Sequence, residues 1–442
     1  MAAVEPFRGL RYQINEDKEL ARLVTPPYDV ISQARQNCLY ENHPNNIIRL
    51  ELNRPEPGDS EDSNIYTRAA RFLREWTAAG ILKTEEKPSL YINETTFTDA
   101  GGQTLTRRGF FARLRLEEFA SGIVLPHERT FSGHKEDRLK LIKETKTNIS
   151  PIMALYPDPS NQVQAIFRQS AARHLAEFDD PAGWHQHLLA VDEPEAIAAI
   201  QEVMREKTIF IADGHHRYET GLNYRRYVRE QNPALFDAAA PCNYILTYLC
   251  SMSDPGLTVF ASHRVLPQWK DFSLSDFQAR LEPFFAVSQY PLSGNGEKDT
   301  EFLREKLHQA GKEGVAFGFM AKGRPHFWLM TLKDKALEKA AMQESEPALQ
   351  SLDVVILSEL VLNRGLGLST GDYDKINLIE YISGLTKAVQ AMNSGRADLA
   401  FFLNPTKIEQ VRAVAEKGLI MPRKSTYFYP KVLTGLVMNP VE

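Results

Sequence analysis

An apolar run that stops at an Asp-Gly pair fixes more of this chain's architecture than any other feature. In 208-TIFIADGHHRYETGLNYRRY-227 the run Ile209 to Ala212 meets Asp213-Gly214, then His215, His216, Arg217 and residues able to start a helix. A short apolar run bounded by turn residues reads as a buried strand. Here it hands over to a helix, which commits this part of the chain to an α/β arrangement. Gly214 permits positive φ and close backbone approach. Consecutive N–H groups at such a turn, with the helix N-terminus behind them, form a cradle for an anion. Arg217 can grip a phosphate through two nitrogens, the histidines add donors, and Asp213 offers an acceptor for a metal ion or a hydroxyl proton. The alternative is that Asp213 caps the helix and the histidines satisfy neighbouring backbone.

Other stretches carry related chemistry. In 124-VLPHERTFSGHKEDR-138, Glu128 is a candidate general base. Lys135 and Arg138 could neutralise a transferred phosphate, and His127 and Thr130 could meet a substrate. The competing reading is a solvated charged loop feeding a helix from Lys135. In 23-LVTPPYDVIS-32, Pro26 and Pro27 hold an extended chain that presents Tyr28 and Asp29. These are either substrate contacts or parts of a rigid turn. The segment 421-MPRKSTYFYPKV-432 joins Arg423, Lys424, Ser425 and Thr426 to aromatics, and reads as a docked segment or as a phosphate contact. His263 and Arg264 stand at a strand end.

The 442 residues allow two or three domains. Joins are expected near residues 100 and 270, giving portions 1–100, 101–270 and 271–442. Helices are expected over 65–82, from Lys135, and over 193–206, 217–231, 275–290, 300–311, 353–367 and 384–395. Strands are expected over 89–98 and 109–119 as a hairpin, 152–156, 243–253, 314–321 paired with 325–333, 376–383 and 398–405. A net charge of −5 argues against a broad basic face for DNA. Three cysteines without close pairing do not suggest a disulfide framework. The absence of C-x-x-C and H-E-x-x-H patterns gives zinc little support. With no signal-peptide pattern and no long apolar run, a cytoplasmic protein is expected.

Several motifs together resemble one bacterial and archaeal family, catalogued as domain of unknown function 1015. They are PFRGLRY, TPPYDVIS, LPHERT with KEDRLKLI, NISPI, ADGHHRYET, DPGL with HRVL, and MPRKSTYFYPK. That family in turn looks like the free-serine kinases of the ParB/sulfiredoxin-type fold. Those kinases share the order Pro-His-Glu, helix, Pro-Ile strand and Asp-Gly-His-His-Arg. The resemblance implies an α/β (α+β) fold whose nucleotide-binding core carries N- and C-terminal portions and an insertion near 157–205. It implies Glu128 as base, Asp213 as a second acid near the hydroxyl or the metal, and Gly214, His215, His216 and Arg217 on nucleotide phosphates. The activity implied is phosphoryl transfer from ATP or ADP, with Mg2+, to free serine or a similar small alcohol. A nucleotide-binding switch or a nucleotide hydrolase is the alternative.

Overall fold

The computed structural model describes residues 1–442 except 100, 129–131, 232, 234–235, 270–271, 334–345, 370–377 and 423, and except the side chains of 132–134. Thr130 and Arg423, both singled out above, lie outside the described residues. The chain forms two compact units, Met1–Thr258 with Pro430–Glu442, and Val259–Tyr429. The fold is mixed α/β.

The first unit is built on a nine-stranded mixed sheet. Its strands are β1 (Val4–Glu5), β2 (Leu90–Thr98), β3 (Thr104–Arg115), β4 (Val124–Leu125), β5 (Ile152–Tyr156), β6 (Arg173–Asp179), β7 (His185–Val191), β8 (Ile209–Asp213) and β9 (Tyr244–Ser251). In space they run β4-β8-β5-β9-β3-β2-β7-β6, with β1 on β3. β4 runs parallel to β8, β9 runs parallel to β5, and the other pairs are antiparallel. The central strands are buried on both faces, so β5 and β8 read as unbroken apolar runs rather than alternating ones. Two helices carry motif residues: α1 (Ser132–Thr145) and α2 (His215–Gln231).

The join expected near residue 100 does not separate two units. β2 and β3 pair from Tyr91↔Phe111 out to Thr98↔Thr104, so the turn between them closes a long hairpin. The stretch expected as an insertion carries the helices Gln162–Gln169 and Pro194–Arg205, and between them the β6–β7 hairpin. β7 pairs with β2 along its whole length, so the inserted hairpin extends the main sheet.

The second unit has a six-stranded antiparallel sheet. Its order runs from Phe285–Pro291 through His326–Leu332, Ala316–Ala321, Leu399–Leu403 and Ser262–Leu266 to Glu380–Ser383. The expected β-α-β pattern appears as Glu380–Ser383, the helix Leu385–Asn393 and Leu399–Leu403, with Ser262–Leu266 lying between the two strands. The helix expected over 275–290 stops at Leu281, and Phe285–Pro291 is a strand. Pro283 carries no N–H and cannot continue a helix. The helix expected over 353–367 is α-helical for Asp353–Ile356 and π-helical for Leu357–Gly365. Among the described residues no helix is long and apolar enough to cross a membrane.

Candidate functional site

Strand direction gathers three separated motifs at one edge of the first sheet. β4 and β8 are parallel, so Pro126-His127-Glu128 and Asp213-Gly214 leave their strands at the same end. β5 is antiparallel to β8, so its entry residues Pro151 and Ile152 arrive there too. Gly214 has φ +90, and α2 begins immediately after it. A Cβ on Gly214 would stand 3.0 Å from both Ile152 Cγ2 and Arg217 Nε. The turn therefore needs glycine for its dihedral and for its space.

Asp213 is the electrostatic centre of this edge. Its Oδ2 accepts from Arg217 Nη2 at 2.6 Å, and its Oδ1 accepts from Lys431 Nζ. Arg217 Nη1 also donates to the Pro151 carbonyl, tying α2 to the start of β5. Burial alone would raise the Asp213 carboxyl, but Lys431 and Arg217 outweigh it and hold it below the usual carboxylate range. A carboxylate held this low is a weak proton acceptor. Asp213 and Arg217, expected as an acid near the hydroxyl and a phosphate grip, are here bound to each other, to Lys431 and to the Pro151 carbonyl.

The two histidines differ. His215 is 4% exposed, and its Nε2 accepts the His127 N–H at 3.3 Å. The rings of His127 and His215 meet edge-on at 4.7 Å. Burial, then the neighbouring His127, pushes His215 well below its ordinary pKa, and burial pushes His127 down to about 4. Both are neutral at pH 7, so His215 organises the turn without adding positive charge. His216 is half-buried at the start of α2, and Glu128 is half-buried directly after His127.

Lys135 and Arg138 also have protein partners. Lys135 Nζ pairs with Glu219 at 2.7 Å, bridging α1 and α2. Arg138 is 6% exposed; it binds Asp137 and the Glu51 carbonyl, and its guanidinium lies 4.3 Å from the Tyr28 ring centre. Burial pushes the Tyr28 hydroxyl up to about 12. Glu51 is buried between Arg138 and the Ser150 hydroxyl, which donates to it at 2.8 Å, and burial raises its carboxyl. Glu51, Arg138, Asn148, Ser150, Arg217 and Thr220 line a small, partly open pocket of about 40 Å³, room for water. Asp29, next to Tyr28, is exposed.

Sequence reasoning missed Lys431 and Glu51. Lys431 is 218 positions from Asp213, and its segment drew notice for its Arg, Lys, Ser and Thr instead. Glu51 sits inside the apolar run 47-IIRLEL-52, where nothing marks it as paired. Of the other candidates, Ser425 donates to the Pro422 carbonyl, and His263 is buried with its Nδ1 accepting from Leu403 N–H at 3.3 Å. Both do structural work. For Mg2+, candidate oxygen donors among the described residues include Asp213, Glu128 and Asp29. Such an ion takes one or two carboxylates with waters and phosphate oxygens. All three fit in kind, and both Asp213 oxygens hold cations.

Comparison with solved structures finds distant likenesses. A free serine kinase in complex with AMP is 13% identical, with 76% of this chain and 91% of that one covered and a TM-score of 0.34. A conserved hypothetical protein from Pyrococcus furiosus is 13% identical over 73% of this chain and 92% of that one, with a TM-score of 0.31. SbnI from Staphylococcus aureus, truncated at its C-terminus, is 10% identical over 74% and 86%, with a TM-score of 0.33. No curated protein matches. The model of the family described as "Protein of unknown function (DUF1015)" matches residues 4–355, and the chain belongs to that family.

Proposed function

We propose that this chain is a small-molecule kinase that moves a phosphoryl group from ATP or ADP to the hydroxyl of free L-serine or a similar small alcohol. The observation that carries the reading is the convergence of Glu128, the positive-φ Gly214 and the first turn of α2 at one sheet edge. The first N–H groups of a helix have no partner within it and favour an anion. Behind them, two cations, Arg217 and Lys431, share the one carboxylate of Asp213 and set a local positive field. That field favours nucleotide phosphates without placing a mobile cation on them.

In the reaction, the acceptor oxygen attacks the terminal phosphorus as its proton passes to the Glu128 carboxylate. The bond from that phosphorus to the bridging oxygen breaks, and the nucleotide leaves one phosphate shorter. Mg2+, when bound with the nucleotide, offsets charge on the phosphates. The chain's own part is to orient donor and acceptor and to take the proton, which suffices for phosphoryl transfer of this kind. In this reading His216 meets the phosphates and Asp29 the acceptor.

The test is product formation from purified protein, magnesium, ATP or ADP, and a panel of amino acids and small alcohols. O-phosphoserine made by the wild type and lost in Glu128→Gln, with nucleotide binding kept, is the expected result. No phosphorylated product with any acceptor overturns the kinase. Inorganic phosphate released regardless of acceptor would point to a hydrolase, and tight binding without turnover to a nucleotide-dependent switch.

A further inference from the structure

We propose that His174, Glu177 and His187, on the inserted hairpin, form a site for a divalent transition-metal ion of the zinc type. One ligand atom from each of these three side chains lies within 4.8 Å of the others. Two imidazoles and a carboxylate suit a borderline-soft ion such as Zn2+ and discriminate against Mg2+ and Ca2+, which prefer oxygen alone. Four strands of the sheet separate β7 from β8 and its Asp-Gly turn, and the proposal does not rest on the kinase reading.

The strand geometry is what brings the three together. His187 on β7 lies directly opposite Glu177 on β6, so these two share a face. Three positions apart on a regular strand, His174 and Glu177 would point to opposite faces. The register shifts here: Leu188 faces Ala176 while Leu189 faces His174, which leaves Leu175 as an extra residue. That bulge turns His174 onto the exposed face beside Glu177. Bulges re-aim side chains in this way, and no fixed spacing of His and Glu along the sequence records it.

Carboxylates outside the trio hold its rings. His174 Nε2 lies 2.7 Å from Asp17 Oδ2, and the same oxygen accepts the Glu177 N–H at 2.8 Å. His187 Nδ1 lies 3.6 Å from Glu94, the residue opposite it on β2. A carboxylate on one ring nitrogen fixes an imidazole and raises the basicity of the other, a common arrangement behind metal ligands. His185 bonds Glu177 Oε1 and Asp179, leaving the second Glu177 oxygen as the one for the ion. An ion here would fasten the hairpin face beside the 3-10 helix Asp17–Arg22.

The probe is zinc chloride titrated into chelator-treated full-length protein, by calorimetry and against a chromophoric competitor. We expect one saturable zinc per chain that excess Mg2+ does not displace. His174→Ala and His187→Ala should each abolish that uptake. Asp17→Ala, which leaves the three ligands, should weaken it by about 10- to 100-fold. Zinc should raise the melting temperature of the wild type and not of either histidine variant. His174 and Glu177 are half-exposed, so the variants should keep the wild-type circular dichroism, and Glu177→Gln serves as the mildest change. No saturable zinc in the wild type, or uptake unchanged in the double variant His174→Ala/His187→Ala, overturns the proposal and leaves only surface ion pairs.

Discussion

Replacing Asp213 by Asn tests the electrostatic core of the phosphate loop. Asp213 is 14% exposed, and its partners Arg217 and Lys431 are 8% and 10% exposed. Removing one member of a buried charge group leaves the rest uncompensated, at a cost of about 3–5 kcal/mol. The amide keeps one acceptor oxygen, so the lower end applies, about 3 kcal/mol. At about 2–4 °C per kcal/mol for a domain of this order, the melting temperature should fall by roughly 6–12 °C. Two cations then face each other across an amide. Adding Lys431→Met removes one of them and should recover part of the loss, which a double-mutant cycle by urea unfolding measures. The pH dependence follows from the sign of the shift. Asp213 is lowered in the fold, so its stabilisation is present above the unfolded carboxylate value near 3.9 and is lost as pH falls through the folded one. The gap between wild type and Asp213→Asn should be constant from about pH 5 to 8 and narrow in acid. An Asp213→Asn protein within about 1 kcal/mol of wild type at pH 7, or a cycle showing no coupling, would refute the reasoning.

Gly214→Ala should destabilise by about 1–3 kcal/mol through its φ of +90 and the 3.0 Å approach to Ile152, and should weaken nucleotide binding; calorimetry reads both. His127 is held down to about 4 by burial, so the unfolded chain takes the proton first. Its contribution is complete above about pH 6.5 and should fade toward pH 4 with a slope of up to about 1.4 kcal/mol per unit. That slope should shrink in His127→Gln, and an unchanged slope in denaturant melts would contradict the assignment. Lys135→Ala breaks a partly exposed pair with Glu219 and should cost less than about 1 kcal/mol in a thermal melt. A several-fold loss of nucleotide affinity in that variant would nevertheless assign Lys135 to phosphate.

Much of the fold is legible along the chain because local signals agree. Asn64 caps the helix Ile65–Ala78, Gly80 with φ +73 follows its end, and the buried runs at 152–156 and 209–213 are strands as expected. The motif-bearing residues Pro126 to Glu128, Pro151 and Asp213 meet because of strand direction, which the linear order of the motifs does not record. The inward turn of Arg217 does not show in the sequence, since it depends on a carbonyl at Pro151 and a lysine at 431. The β6–β7 hairpin is hidden too. Its outer face carries His174, Glu177, His185 and His187, and the bulge at Leu175 breaks the alternation that would mark a strand.

The first unit is discontinuous: residues 430–442 return to it, with Leu10 bridging Met438, Thr25 bridging Thr434, and Asn439 pairing with Asn148. During synthesis, β8 and its Asp-Gly turn leave the ribosome long before Lys431 does. Until then the Asp213 carboxylate lacks its second cation, and the turn lacks its full support. Completion of the candidate site thus waits on translation of the whole second unit. A nascent or prematurely terminated chain would carry every motif of the phosphate loop and still lack the residue that finishes it.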